Sequence, residues 1–162
     1  MNKSFNKYWK TKSILVDWYK SPLDICSFDN KYKRYIWYKD GKINIYHNCV
    51  EKHLPHFNDK CAIKYLDKHG TLRELTYHEL FLKVEHFSIF LKNKISKKGK
   101  VKVAIHSSAS IEAAIAMLAC CKLGILFTVI FQTLPAKSLL TRLKIFKPDL
   151  LITKSNIPEI KG

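Results

Sequence analysis

An α/β fold built on parallel βαβ units is what this sequence predicts, and three observations carry the prediction. Beyond residue 100, strand-like and helix-like stretches alternate three times, the pattern of consecutive right-handed crossovers. Thr76 stands three residues before Glu79 at the head of a run in which Leu80, Val84, Phe87 and Leu91 recur at helical spacing. Ile125 to Phe131 is β-branched and aromatic, the composition of a strand buried on both faces.

The elements follow in order. Residues 1–43 lack clean periodicity but carry Phe5, Tyr8, Trp9, Trp18, Tyr19, Phe28, Tyr32, Tyr35, Trp37 and Tyr38. A disordered tail would be poor in such rings, so the segment reads as an extended arm packed on a surface. Asn44 to Leu54 fits one short helix with Ile45, Cys49 and His53 on one face and Pro55 closing it. Ala62–Leu66 and Thr71–Leu75 flank Asp67-Lys-His-Gly70, which reads as a hairpin with glycine at the tight position. The Thr76 hydroxyl and the Glu79 carboxylate form a capping box for a helix running to about Ile95, and Lys97-Lys-Gly-Lys100 ends it. Val101–Ile105 is a strand. Ser107, Ser108 and Ser110 can cap the next helix, and Glu112 suits its positive end. Gly124 stops that helix, Pro135 opens another that ends before Pro148, and Asp149–Thr153 forms the last strand.

Composition bounds the function. The length of 162 residues suits one domain, and 47% hydrophobic residues can fill a core. With 29 Lys+Arg against 13 Asp+Glu, the formal charge is +16 and the pI near 9.7. Such a balance attracts nucleic acid, anionic membrane or polyphosphate. The lysines are scattered and no recognition motif accompanies them, so a nucleic-acid partner is not expected. Five cysteines, Cys26, Cys49, Cys61, Cys120 and Cys121, form no CxxC spacing and read as reduced thiols, which places the protein in the cytoplasm. The first twenty residues hold no apolar stretch long enough for a signal peptide. Ile111 to Phe131 is interrupted by Glu112, Lys122 and Gly124, so no membrane span and no membrane partner are expected.

Local catalytic signals are few. The five glycines stand far apart, which excludes Walker-type and dinucleotide-type phosphate loops. His53-Leu-Pro-His56 pairs two imidazoles around a proline with no third ligand, so no metal site is assigned. Cys120 and Cys121 point different ways on a helix with no charged activator, which favours packing over reactivity. Ser107, Ser108 and Ser110 lack a paired base, which favours capping.

Leu75-Thr-Tyr-His-Glu-Leu80 resembles the first core motif of the AMP-dependent synthetase and ligase family. Lys97–Ile105 is similar to the following strand, and Glu112–Gly124 with Val129-Ile-Phe131 to the helix and strand of the second region. Gly41–Leu54, with Tyr8-Trp9 and Asp17-Trp18 upstream, resembles the short-chain branch of acetyl- and propionyl-CoA synthetases. The resemblance implies part of the N-terminal domain of an adenylate-forming enzyme. Residues 1–60 would be the arm and short helix of the branch, and residues 61–162 an incomplete α/β portion of the AMP-binding domain. It also implies the parent reaction, in which carboxylate and ATP give an acyl-adenylate that CoA converts to a thioester.

In that family the phosphate loop, adenine-binding segment, hinge and catalytic lysine lie far beyond the position of Gly162. No catalytic residue is therefore assigned, and a truncated synthetase that does not act alone is expected. ATP, Mg and CoA would serve a complete family member, with no cofactor expected for this chain by itself. Two positions fall on the CoA side by resemblance alone. Phe131 opens Phe131-Gln-Thr133, where the family has Phe-Gly-Gly, and Lys161 lies where the family has an Arg-Gly-Gly-Arg stretch. The remaining part of a split synthetase is the implied partner. The alternative is a small basic module that binds anionic partners.

Overall fold

The computed structural model describes residues 3–95 and 99–153. Its centre is strand β5 (Lys102–His106), whose Val103, Ala104 and Ile105 are fully buried. Strands β6 (Leu126–Ile130) and β7 (Leu150–Thr153) flank it in the order β6-β5-β7, and both pairings are parallel. Helix α5 (Ile111–Leu123) connects β5 to β6, and helix α6 (Ala136–Phe146) carries the chain back across β5 to β7. Side chains alternate across a strand. Val103 and Ile105 accordingly enter the core cluster with Ala116, Ala119 and Cys120 of α5. Lys102 points to the other face, where its ammonium donates to the Phe146 carbonyl at 3.1 Å at the end of α6. The two helices thus cover opposite faces, and the chain reverses direction at β5. Parallel βαβ units are borne out.

The fully buried strand expected at Ile125–Phe131 is corrected. β6 is an edge strand, Leu126 is 57% exposed and Phe131 63%. Burial on both faces requires a neighbouring strand on each side and close cover, and α6 contributes no buried residue.

Helix α4 (Tyr77–Lys94) packs along α5. Its capping box forms as expected: the Thr76 hydroxyl accepts from the Glu79 amide at 3.1 Å, and the Glu79 carboxylate accepts from the Thr76 amide at 2.8 Å. Leu80, Val84, Ser88 and Leu91 form its buried stripe. The helix gives way at Ile95; of the expected stop signal, Lys97 and Lys98 lie outside the described residues. Strands β3 (Cys61–Leu66) and β4 (Leu72–Thr76) form the expected antiparallel hairpin, with the Asp67 carboxylate accepting from the amides of His69 and Thr71. Ser110 caps α5 by accepting from the Ala113 amide, and Gly124 ends it at φ +65°, a left-handed conformation that glycine adopts without strain.

The first 60 residues differ most from expectation. The arm is not extended. Lys3–Ser13 is a helix, α1, and Cys26–Asp29 pairs with Arg34–Trp37 as hairpin β1–β2. Aromatic packing organises both: Trp9 meets Trp37 edge-on at 5.1 Å, Phe5 lies 5.6 Å from Trp37, and the Trp18 ring covers Gly41 so closely that a β-carbon there would collide. The helix expected at Asn44–Leu54 breaks into three short pieces: α2 (Ile45–Cys49), a 3-10 turn (Glu51–His53) and α3 (Leu54–Phe57). Pro55 lies in the first turn of α3 and does not close the run. The buried residues here are Tyr46 and the following Val50, while Ile45 and Cys49 are exposed, because α2 packs against α5.

A polar junction ties these layers. The Lys122 ammonium lies 2.6 Å from Glu85 of α4 and 3.5 Å from Glu51, and 4.8 Å over the Tyr46 ring. The Tyr46 hydroxyl donates to the same Glu85 oxygen at 2.9 Å. Burial opposes ionisation of Glu85, yet the bonds from Lys122 and Tyr46 and the Lys122 charge hold its pKa below the ordinary 4.5. Burial likewise opposes charge on Lys122, and Glu85 and Glu51 raise its pKa above the ordinary 10.5. Linkage fixes the pH window. The carboxylate's contribution is complete above 4.5 and is lost as pH falls through its lowered pKa; the ammonium's is complete below 10.5 and is lost as pH rises through its raised pKa. Glu85→Gln is expected to lower stability by about 1–2 kcal/mol at neutral pH, a charged hydrogen-bond value discounted for partial exposure. It should also flatten the loss of stability on acidification. Urea unfolding midpoints at neutral and acid pH test both, and an unchanged acid slope would refute this role for Glu85.

Candidate functional site

In open parallel sheets, ligand sites form beyond the carboxyl ends of the strands where the chain reverses direction. Here that place is the end of β5 beside β7. A cleft of about 480 Å³ opens there, lined by His106, Ser107, Ser110, Glu112, Ile152 and Thr153 among others. Local sequence explains each position. β5 runs out of buried aliphatics at His106, and Ser107 leaves the strand with its amide still bonded to the Ile130 carbonyl at 3.1 Å. Ser110 starts α5, which aims the amino end of that helix at the cleft.

The polar groups are arranged unevenly. His106 Nδ1 and Thr153 Oγ1 are 3.2 Å apart across the β5–β7 pairing. His106 Nε2 is shielded from solvent with no hydrogen-bond partner among the described residues. The Ser107 hydroxyl donates to the Ser108 carbonyl at 2.9 Å and so has no activating base, while the Ser110 oxygen caps α5 by accepting from the Ala113 amide. At the rim, Arg73 from β4 reaches Glu112 at 3.0 Å. Desolvation opposes charge on Glu112, but its own backbone amide, the Arg73 guanidinium and the Ser110 hydroxyl together hold its pKa below the ordinary range. A carboxylate in the first turn cancels much of the helix's attraction for a further anion. The cleft offers hydrogen-bonding groups and no assembled nucleophile.

Of the residues singled out from sequence, Phe131 follows the end of β6, on the opposite side of β5 from Thr153. Its ring is exposed, and its carbonyl accepts from the Leu134 amide at 3.2 Å to close a turn. It does not line the cleft. Lys161 lies outside the described residues. His53 bonds through Nε2 to the Asn48 carbonyl at 3.1 Å and packs on Tyr77, while His56 packs against Phe57. His106, Thr153 and Arg73 were missed in the sequence; the strand-end rule, applied to the last residues of β5 and β7, points to the first two.

The AMP-binding enzyme family model matches residues 50–161. The chain belongs to that family. Acetyl-coenzyme A synthetase of Thiobacillus denitrificans is 34% identical over 138 residues, which cover 85% of this chain and 21% of that protein. The enzyme of the same name from Leptospira biflexa is 34% identical over 149 residues, 91% of this chain and 23% of the relative. Acetoacetyl-CoA synthetase from Streptomyces lividans shares the fold at a TM-score of 0.80 and 19% identity, over 93% of this chain and 23% of that structure. The chain therefore spans between a fifth and a quarter of the length of these relatives. The resemblance to acyl-CoA synthetases and the α/β fold are borne out. No described helix is long and apolar enough to cross a membrane.

Neither adjacent cysteine of α5 carries an activated thiol. Desolvation pushes the Cys120 thiol up to about 12, and burial also raises Cys121. Under native conditions a thiol-disulfide reagent is expected to label exposed Cys49 quickly and to leave Cys120 unmodified until the chain unfolds. Peptide mapping by mass spectrometry checks this, and early labelling of Cys120 would show that its cover opens.

Proposed function

We propose that residues 1–162 form the leading part of a short-chain, AMP-forming acyl-CoA synthetase. The parent reaction is ATP + carboxylate + CoA giving acyl-CoA + AMP + diphosphate, with Mg accompanying ATP. The observation that carries this is an alignment spanning 85% and 91% of this chain with two acetyl-coenzyme A synthetases, yet only 21% and 23% of their length. In this reading the residues that grip ATP belong to the rest of a complete enzyme, and this stretch alone does not adenylate. Residues 1–60 are the branch-specific arm, and residues 61–162 open the AMP-binding domain.

Edges and faces support a role as scaffold. Among the described residues, β6 and β7 each pair on one side only, and Leu126, Val129 and Leu151 on them are exposed. Unpaired strands with apolar side chains invite further strands, and the partner proposed here is the remainder of a synthetase. Phe131 at the end of β6 and Lys161 are proposed to lie on the CoA side; the lysine would offer a point charge to a phosphate, not a bidentate fork. The free thiols fit a reducing compartment, and the proposed location is the cytoplasm.

The test is acetate-dependent exchange of pyrophosphate into ATP. The 162-residue chain alone is expected to give none above background. Measurable turnover from it, retained after purification to homogeneity, would overturn the proposal.

A further inference from the structure

Three of the most exposed aliphatic side chains cluster in the first 25 residues. Just beyond the end of α1, Ile14 is 76% exposed and Leu15 70%, and Leu23 is 81% exposed. Ile14 and Leu23 line one open cleft of about 690 Å³ together with Lys7 and Lys10, and no acidic residue lines it. Lys12, on the last turn of α1, lies instead over the Tyr8 ring at 5.5 Å and does not line the cleft. Of the two acidic residues among the first 25, Asp17 is engaged by His47 at 3.4 Å and Lys52 at 3.7 Å. Isolated exposed aliphatics are ordinary, whereas aliphatic tips gathered on one rim and flanked by cations of one sign call for an apolar layer beside an anionic one.

We propose that this rim is a peripheral docking surface for an anionic lipid bilayer, with Ile14 and Leu23 entering the acyl boundary and Lys7 and Lys10 at the level of the phosphates. A bilayer supplies those two layers in the required order, and a net charge of +16 draws the chain to it from a distance. The other polyanion, nucleic acid, would match the lysines, but a duplex offers no apolar layer for Ile14 and Leu23, and a single strand would need a ring free for stacking. Among the described residues, Trp18 is the only aromatic one lining the cleft. Its ring is spent on Gly41 and Tyr38, and its indole N–H on the Ser13 carbonyl at 2.9 Å. A second copy of the chain would bring two strongly cationic surfaces together. Lying on a membrane in this way needs no spanning helix.

The experiment is co-sedimentation of the 162-residue protein with vesicles of phosphatidylcholine alone and of phosphatidylcholine mixed with phosphatidylserine. Binding is expected only to the mixed vesicles, weakening as salt is raised. Ile14→Asp combined with Leu23→Asp should lower the partition coefficient at least about tenfold, and Lys7→Glu with Lys10→Glu should do the same. Leu140→Asp with Ile145→Asp, the same charge change at exposed aliphatics of α6, should leave it within about twofold of the parent. Circular dichroism confirms that each variant keeps its helix content. Absence of binding to the mixed vesicles overturns the proposal, as does an equal loss in the α6 variant, which would mean delocalised charge attraction. A parent dimer on sizing chromatography that Ile14→Asp with Leu23→Asp dissolves would also overturn it, by assigning the rim to a second copy.

Discussion

Lys122 leaves the last turn of α5 and meets a carboxylate from each of two other elements, Glu85 of α4 and Glu51 beside α2, while its charge lies over the Tyr46 ring. Three segments distant in sequence are thereby held at one point. Tyr46 and Val50 are buried in the same core as Val84 and Cys120, so the polar junction sits directly above apolar packing. Both ions are about three-quarters buried, at 26% and 27% exposure, and each would be costly to leave without the other. The segment before residue 44 is fastened to α2 in turn. Asn48 bonds in both directions with the backbone of Asp17, and the Asp17 carboxylate meets His47 and Lys52. A shift of α2 would loosen the N-terminal helix and the α/β core together.

The parts of the fold that were legible in the sequence are those decided by local chemistry. The capping box at Thr76 and Glu79, the Asp67–Gly70 turn, the glycine stop at Gly124 and the alternation after residue 100 each follow from side chains within a few residues of one another. The parts that were not legible are decided by partners distant in sequence. Ile45 and Cys49 were as plausible a buried face for α2 as Tyr46 and Val50 until the position of α5 was known. The aromatics of residues 1–43 announced packing but not its form, because Trp9 and Trp37 define a helix-on-hairpin arrangement only once both elements exist. β6 has the composition of an interior strand and, among the described residues, the place of an edge strand.

The candidate site shows the same division. Ser110 was readable as a cap. His106 and Thr153 were not, because their proximity depends on the register between β5 and β7, two strands separated by a whole βαβ unit and its return. What the geometry delivers is a strand-end cleft with an imidazole nitrogen that has no partner among the described residues, beside a helix end whose charge Glu112 offsets. This is compatible with the proposed reading, in which the residues that grip ATP would belong to the rest of a complete enzyme.

The central physical claim is that the aromatic N-terminal segment and the α/β core are one cooperative body joined through Lys122. Trp9, Trp18 and Trp37, the only tryptophans, all report on the first 43 residues, whereas most of the helix lies in α4, α5 and α6. Urea unfolding followed in parallel by tryptophan fluorescence and far-ultraviolet circular dichroism therefore compares the two halves directly. Superimposable transitions with one midpoint are predicted. A fluorescence transition completed at lower urea, with the helical signal intact, would contradict it.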